Sequence, residues 1–346
     1  MKTALLLISA LSAAWCAQIE VGEKRVVAGA PGKHHGFPRM VRAKDSSLLL
    51  FYRIGLTHAW DVSVNVMRRS RDEGATWGPE KEVGRGSDAE HGSINAVPLV
   101  TPSGRILLWL SDIYIKQSPY RRDPNYWRWS DDHGETWSPM IRFDNDPGRS
   151  TYYVTDAIAV SDGLLAGAAT FPPGGVGNCY TVMWHSADGG RSWAVRSHLT
   201  RPEENRGDEV GLMETAPGEV LCLLRVRKGK GLSQFRSSDN GRTWKEGENL
   251  GEMLGCTLQR PVLTRLGKTR ILLTGRDSER RQVVAYLSED NGRTWGVRTE
   301  IESYQKDGAY TSCVVLRDGS VLMAYYSDAG VEPLKPQIKT VRLRIR

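Results

Sequence analysis

Two histidines stand where they could move protons. His58 lies in GLTHAWD and His91 in DAEHGS, both in loop-like stretches. Imidazole exchanges a proton near neutral pH, so each is a candidate for acid–base chemistry. An ordinary loop histidine is the competing reading. Carboxylates recur at a fixed place: the pattern S-x-D-x-G-x-[ST]-W occurs five times and carries Asp72, Asp132, Asp188, Asp239 and Asp290. A repeated aspartate of this kind closes a turn by accepting nearby backbone N–H groups, and is read as a staple rather than a catalyst. Metal and phosphate chemistry lack their signatures. There is no HExxH, no EF-hand loop, and no GxGxxG or P-loop between a strand and a helix. Cys179, Cys222, Cys256 and Cys313 are too widely spaced for zinc. They allow three disulfide pairings but read as buried thiols. No cofactor and no metal are expected.

The elements that must carry such residues follow from the repeat. The octapeptides SRDEGATW (70–77), SDDHGETW (130–137), SADGGRSW (186–193), SSDNGRTW (237–244) and SEDNGRTW (288–295) start 60, 56, 51 and 51 residues apart. Short apolar runs flank each one, among them VSVNVMRRS, GRILLWLSD, YTVMWHS, EVLCLLRV and SVLMAYYSD. Turn residues such as Ser161-Asp162-Gly163 and Asp318-Gly319 precede several of them. Each period holds about four short strands, the content of one propeller blade. The spacing therefore predicts an all-β, six-bladed β-propeller of four-stranded antiparallel blades. Five blades carry the octapeptide and one is degenerate. The 36 Gly and 11 Trp in 346 residues have the same origin, since five Trp end the octapeptides.

The amino terminus reads differently. Met1-Lys2 precedes an apolar run from Ala4 to Trp15. That is the form of a secretory signal peptide, and it is too short to span a bilayer. The expected division is a signal peptide over 1–17 and one propeller domain over 18–346. The protein would then be secreted or periplasmic; a lipoprotein anchored through Cys16 is the lesser alternative. The formal charge of +7 suits an anionic glycan better than nucleic acid, for which no module is visible.

The octapeptides resemble the Asp-boxes, or BNR repeats, of the sialidase superfamily. The resemblance runs through nearly the whole mature chain and implies a site. Sialidases use a tyrosine nucleophile. Family likeness implies a Tyr–Glu pair, an Asp acid/base and three arginines that hold the substrate carboxylate. Tyr310, in GAYTS before a strand and the Arg317-Asp318-Gly319-Ser320 turn, matches the nucleophile. Glu209 matches its base, with Glu204 and Glu214 as rivals. Arg225 follows as the second arginine. Arg280 follows as the third, with Arg281 or Arg276 able to replace it. Arg53 and Asp61 take the places of a further arginine and of the acid/base. The F-R-I-P motif that supplies the first arginine is missing. Aligned on Pro38, this chain has Gly36 at that place and Arg39 beyond it. His58, Arg39 and His91 complete the expected substrate-binding set.

The function implied is an exo-glycoside hydrolase of the sialidase type, acting on a terminal acidic sugar. Two alternatives stay open. One is a polysaccharide lyase or other glycosidase on the same propeller, because His, Tyr and Arg together would suit β-elimination on a uronate. The other is a glycan-binding propeller without catalysis. The expected partner is an anionic glycan, with no nucleic acid and no membrane span.

Overall fold

Each Asp-box folds into the same local turn. In the first, Ser70 Oγ donates to Asp72 Oδ1 at 2.8 Å and accepts the Gly74 amide at 2.8 Å. The Thr76 amide reaches Asp72 Oδ1 at 2.9 Å and its hydroxyl reaches Oδ2 at 2.5 Å. Equivalent bonds close the other four boxes. The box glycine is required twice over. Gly190 has φ +87° and a Cβ there would sit 2.3 Å from Leu107 Cδ1.

The computed structural model describes residues 18–116, 125–143, 150–171, 179–226, 231–296, 298–333 and 335–346. The expected signal peptide, with Cys16, lies outside them. Six four-stranded antiparallel sheets form. Blade 1 comprises His34–Arg42, Leu48–Gly55, Val64–Ser70 and Lys81–Arg85. Blade 2 is built of His91–Val100, Ile106–Tyr114, Asn125–Ser130 and Ile141–Arg142, and blade 3 of Ser150–Val160, Gly163–Phe171, Tyr180–Ser186 and Ala194–His198. Blade 4 has Val210–Ala216, Glu219–Arg225, Leu232–Ser237 and Lys245–Asn249; blade 5 has Leu258–Arg265, Ile271–Asp277, Gln282–Ser288 and Thr299–Ser303. Blade 6 contains Gly308–Val315, Val321–Ser327 and Gln337–Ile345, and takes its outer strand, Ile19–Ala28, from the other end of the chain. The first strands of successive blades touch one another in a closed ring. They are the inner strands of a six-bladed β-propeller.

The box joins a blade's third strand to its fourth. Blade 6 has no such connection, because its third and fourth strands come from opposite ends of the chain. That is why one blade reads as degenerate. The boxes also hold neighbouring blades together. The glycines Gly74, Gly134, Gly190, Gly241 and Gly292 pack on Leu322, Leu49, Leu107, Leu165 and Leu221, each in the second strand of the preceding blade. The apolar core is divided into six clusters, one per seam between blades. Five of them take in a box tryptophan. At the seam of blades 2 and 3, Trp193 is buried with its ring centre 5.1 Å from that of Trp109. The thiols of Cys222 and Cys256 are buried and unbridged.

Five inner strands break register near their start, between Gly36 and Arg39, Ser93 and Asn95, Val154 and Asp156, Gln259 and Val262, and Gly308 and Thr311. In three of these bulges a residue that is not glycine takes positive φ: Phe37 (57°), Arg260 (52°) and Ala309 (85°). Bulges re-aim side chains. Here they turn residues of different blades toward the mouth of the central channel.

Candidate active site

Inner strands begin, and second strands end, at one end of the propeller. Third strands run parallel to the first, so the boxes that follow them lie at the opposite end. Glu209 directly precedes the inner strand of blade 4, and Arg225 ends the second strand. Antiparallel pairing brings them together: the Arg225 amide donates to the Glu209 carbonyl at 2.9 Å, and Arg225 Nη1 to Glu209 Oε2 at 2.9 Å. Glu209 Oε2 also accepts the Arg260 amide at 3.1 Å. Tyr310 follows the Ala309 bulge. Its hydroxyl accepts from Arg225 Nη1 at 3.5 Å, the same nitrogen that donates to Glu209. The Arg260 guanidinium lies 5.8 Å from the centre of the Tyr310 ring.

These contacts set the charges. Burial pushes the Glu209 carboxyl up, but Arg225 and Arg260 pull it below its ordinary value. Burial, then the Glu209 charge, raise the Tyr310 phenol, and Arg225 and Arg276 oppose them. At rest the pair is a neutral phenol beside a carboxylate.

Two adjoining lobes of a cavity meet at His58, Arg225 and Tyr310. The first, about 350 Å³, is walled by Phe37, Ala59, Trp60, Ile94, Asn95, Ile113, Asp208, Glu209 and Arg260. The second, about 590 Å³, adds His34, Thr57, Gln259, Arg276, Lys306, Asp307, Lys335 and Pro336. Both fall in the size range of small-ligand sites. Arg225, Arg276, Lys306 and Lys335 make the second lobe basic, which suits a carboxylate. Arg276 is braced by the Tyr304 hydroxyl at 2.9 Å, with its Nη1 3.6 Å from Asp307 Oδ1.

Asp307 joins two histidines. His34 Nε2 lies 2.8 Å and His58 Nδ1 2.9 Å from Asp307 Oδ2, while the Tyr326 hydroxyl donates to Oδ1 at 3.2 Å. Burial pushes the Asp307 carboxyl up, but the bonds from His34 and His58 outweigh it and hold it well below the usual carboxylate range. These three residues are the set, among the described residues, whose potential ligand atoms lie close enough for a metal ion, within 4.8 Å of one another. All three already spend those atoms on mutual hydrogen bonds.

The other expected residues sit elsewhere. Asp61 does not line either lobe. Its carboxylate accepts from Arg53 Nη2 and from the amides of Leu56 and Thr57, so it caps the loop. Arg53 is fully buried beneath that loop and also donates to the Thr57 carbonyl at 2.6 Å. Arg280 pairs with Asp277 at 2.9 Å and points away from the cavity lining; Arg276, two turns of side-chain alternation earlier, takes its place. The reason is strand length: Ile271–Asp277 ends before Arg280, which falls in the following turn. Arg39 is buried toward blade 3, where it meets the Thr155 carbonyl at 2.5 Å, and burial, then Arg260, push it down to about 9. His91 turns to Asp88 at 2.7 Å. Of the rivals, Glu204 accepts the Arg201 amide, and Glu214 accepts the amides of Gly218 and of Ser161 in blade 3. At the place of the missing arginine, a Cβ on Gly36 would lie 2.6 Å from His34 Cε1, so the His34 ring fills that space.

Arg260, Asp307, His34, Lys306 and Lys335 were not anticipated. The partners of Arg260, His34 and Lys335 lie on other blades, and the one local sign was Asp307, three residues before Tyr310.

Comparison with known proteins agrees with this architecture. Residues 80–323 match the family described as BNR repeat-like domain. The chain belongs to that family, within the sialidase superfamily. A sialidase of Paraclostridium sordellii is 22% identical over 338 residues, covering 85% of this chain and 82% of that protein. Among solved structures, a Dyadobacter fermentans protein of unknown function superposes with a TM-score of 0.80 at 19% identity, covering 95% of this chain and 99% of that one. Trypanosoma rangeli sialidase, solved as a covalent intermediate with 2,3-difluorosialic acid, superposes with a TM-score of 0.70 at 16% identity over 89% of this chain and 54% of that one. Among the described residues no helix is long and apolar enough to cross a membrane.

Proposed function

We propose that this protein is an exported exo-glycosidase of the sialidase type that releases a terminal acidic sugar from glycans. The observation that carries this reading is the meeting of Tyr310, Glu209 and Arg225 where the first lobe joins the basic second one. Tyr310 Oη attacks the anomeric carbon while Glu209 takes the phenol proton. A neutral nucleophile avoids the repulsion that a carboxylate would meet from an anionic sugar. Arg225 at 3.5 Å and Arg260 over the ring stabilise the negative charge that develops on the phenol oxygen. Arg225 and Arg276 grip the substrate carboxylate, with Lys306 and Lys335 adding positive charge where a third arginine is missing. The sialidase-named relatives support the reaction class.

The test is release of free sugar from a panel of fluorogenic sialosides. Tyr310→Phe should lower turnover at least about a thousandfold, the scale of losing a nucleophile. Unchanged turnover in that variant sinks the reading. A second reading, β-elimination on a uronate, is favoured by His58 facing Tyr310 with ring centres 6.5 Å apart and by the absence of arginine at position 36. Ultraviolet absorbance from an unsaturated uronate product would select it.

A further inference from the structure

We propose that His58 is the acid and base of this site: it protonates the departing glycosidic oxygen and then deprotonates the attacking water. Asp307 and His34 act as positioning residues. The proposal rests on the glycosidase reading above and fills a role which that reading leaves vacant.

Asp61 is poorly placed for the task, since three donors occupy its carboxylate and it faces neither lobe. His58 sits three residues earlier in the same loop and lines both lobes, with its side chain 42% exposed. Phe37 packs against it edge-on at 5.0 Å and Tyr310 lies on its cavity side. A leaving group on a sugar held at Tyr310 is therefore within its reach.

The hydrogen bonds fix which nitrogen works. An ionised carboxylate only accepts, so both imidazole nitrogens at Asp307 Oδ2 must be N–H donors. His58 thus commits Nδ1–H to Asp307 and keeps Nε2 for the cavity. His34 commits Nε2–H, and its Nδ1 is buried without a partner. A second proton on that nitrogen would be an unsatisfied buried donor, so His34 stays neutral. Burial lowers its pKa in the same direction. Of the two histidines, only His58 has room to gain and lose a proton. The same orphaned Nδ1 argues against a metal ion. Ligation through His34 Nε2 would move the proton to an atom with no acceptor.

Tyr310 Oη bonds to the anomeric carbon, the bond to the glycosidic oxygen breaks, and the proton of His58 Nε2 goes to that oxygen. Water then attacks the anomeric carbon and gives a proton to His58 Nε2. The bond to Tyr310 breaks, and Glu209 returns the proton to the phenolate.

The experiment compares two sialosides, one with a good aryl leaving group and one with a sugar alcohol leaving group. In His58→Ala, hydrolysis of the second should fall about 10²–10⁴-fold, the usual contribution of a general acid. Formation of the covalent intermediate from the aryl sialoside should fall far less. That intermediate should accumulate, and added azide should speed its breakdown. Asp307→Asn should shift the ratio of the two rates in the same direction, and Asp61→Asn should keep the wild-type ratio. Equal losses on both substrates in His58→Ala, a shifted ratio in Asp61→Asn, or activity abolished by chelation and restored by Zn²⁺ would each overturn the proposal. A wild-type protein inert on both sialosides would instead remove the glycosidase reading beneath it, and the proposal with it. His58→Gln, read by the same ratio, replaces the alanine variant if that fails to fold.

Discussion

The two ends of the propeller use carboxylates in opposite ways. At the box end, Asp72 takes its bonds from Ser70 and Thr76, no more than four residues away. At the cavity end, Asp307 takes its contacts from His34, His58, Arg276 and Tyr326, on three blades or their loops. The first arrangement folds with its own octapeptide. The second exists only once the ring has closed. Carboxylates that close turns can therefore repeat along the chain, while those that line the cavity occur once, and a mutation at one end should leave the other intact.

The largest test of that independence is Trp193→Ala. Emptying a buried tryptophan site should destabilise the fold by about 3–5 kcal/mol. Thermal or denaturant unfolding would show it, while kcat on a sialoside stays near wild type. A matching fall in kcat would mean that the seam of blades 2 and 3 shapes the cavity. Next in size is the pair Arg276→Ala and Arg280→Ala. Losing a charged hydrogen-bond donor to the substrate is worth about 1.5–3 kcal/mol, so kcat/KM should fall roughly 10–150-fold in the first. The second should stay within about twofold, since Arg280 does not line the cavity and Arg298 still pairs with Asp277. Reversed effects would restore Arg280 to the site. The smallest effect concerns acid. The Thr76 hydroxyl and amide hold the Asp72 carboxyl down to about 2, from an ordinary 3.8. A depressed folded pKa stabilises above the unfolded value and is lost as pH falls through the folded one. The gap in Tm between wild type and Asp72→Asn should be full at pH 5 and narrow toward pH 2. A gap that persists at pH 2 would show that charge is not what the box uses.

The same contrast explains what could be read from the chain beforehand. The propeller was legible because the box is local and recurs in phase, and its tryptophans mark five seams. The sixth blade escaped the pattern because its third and fourth strands have no connecting turn. Tyr310, Glu209 and Arg225 could be named through family resemblance, since order along strands survives divergence. Arg276 over Arg280 depended on where a strand stops. Asp61 was named for its loop, but Arg53 and the loop's own amides claim its carboxylate, and His58, three residues earlier, lines the cavity instead. Arg260 gave no local sign, as its Asn95 and Glu209 partners belong to other blades.

The outer strand of blade 6 has a consequence in time. Ile19–Ala28 leaves the ribosome before the other strands described, yet its partner Gln337–Ile345 follows all of them. Closing so long a loop adds only logarithmically to the entropic cost, but it cannot begin until that partner strand exists. Blades 1 to 5 can each pair their own strands early. Tyr310 and Asp307 stand on or beside blade 6. The cavity therefore cannot be complete until residues 307–310 have been made, after the strands of blades 1 to 5.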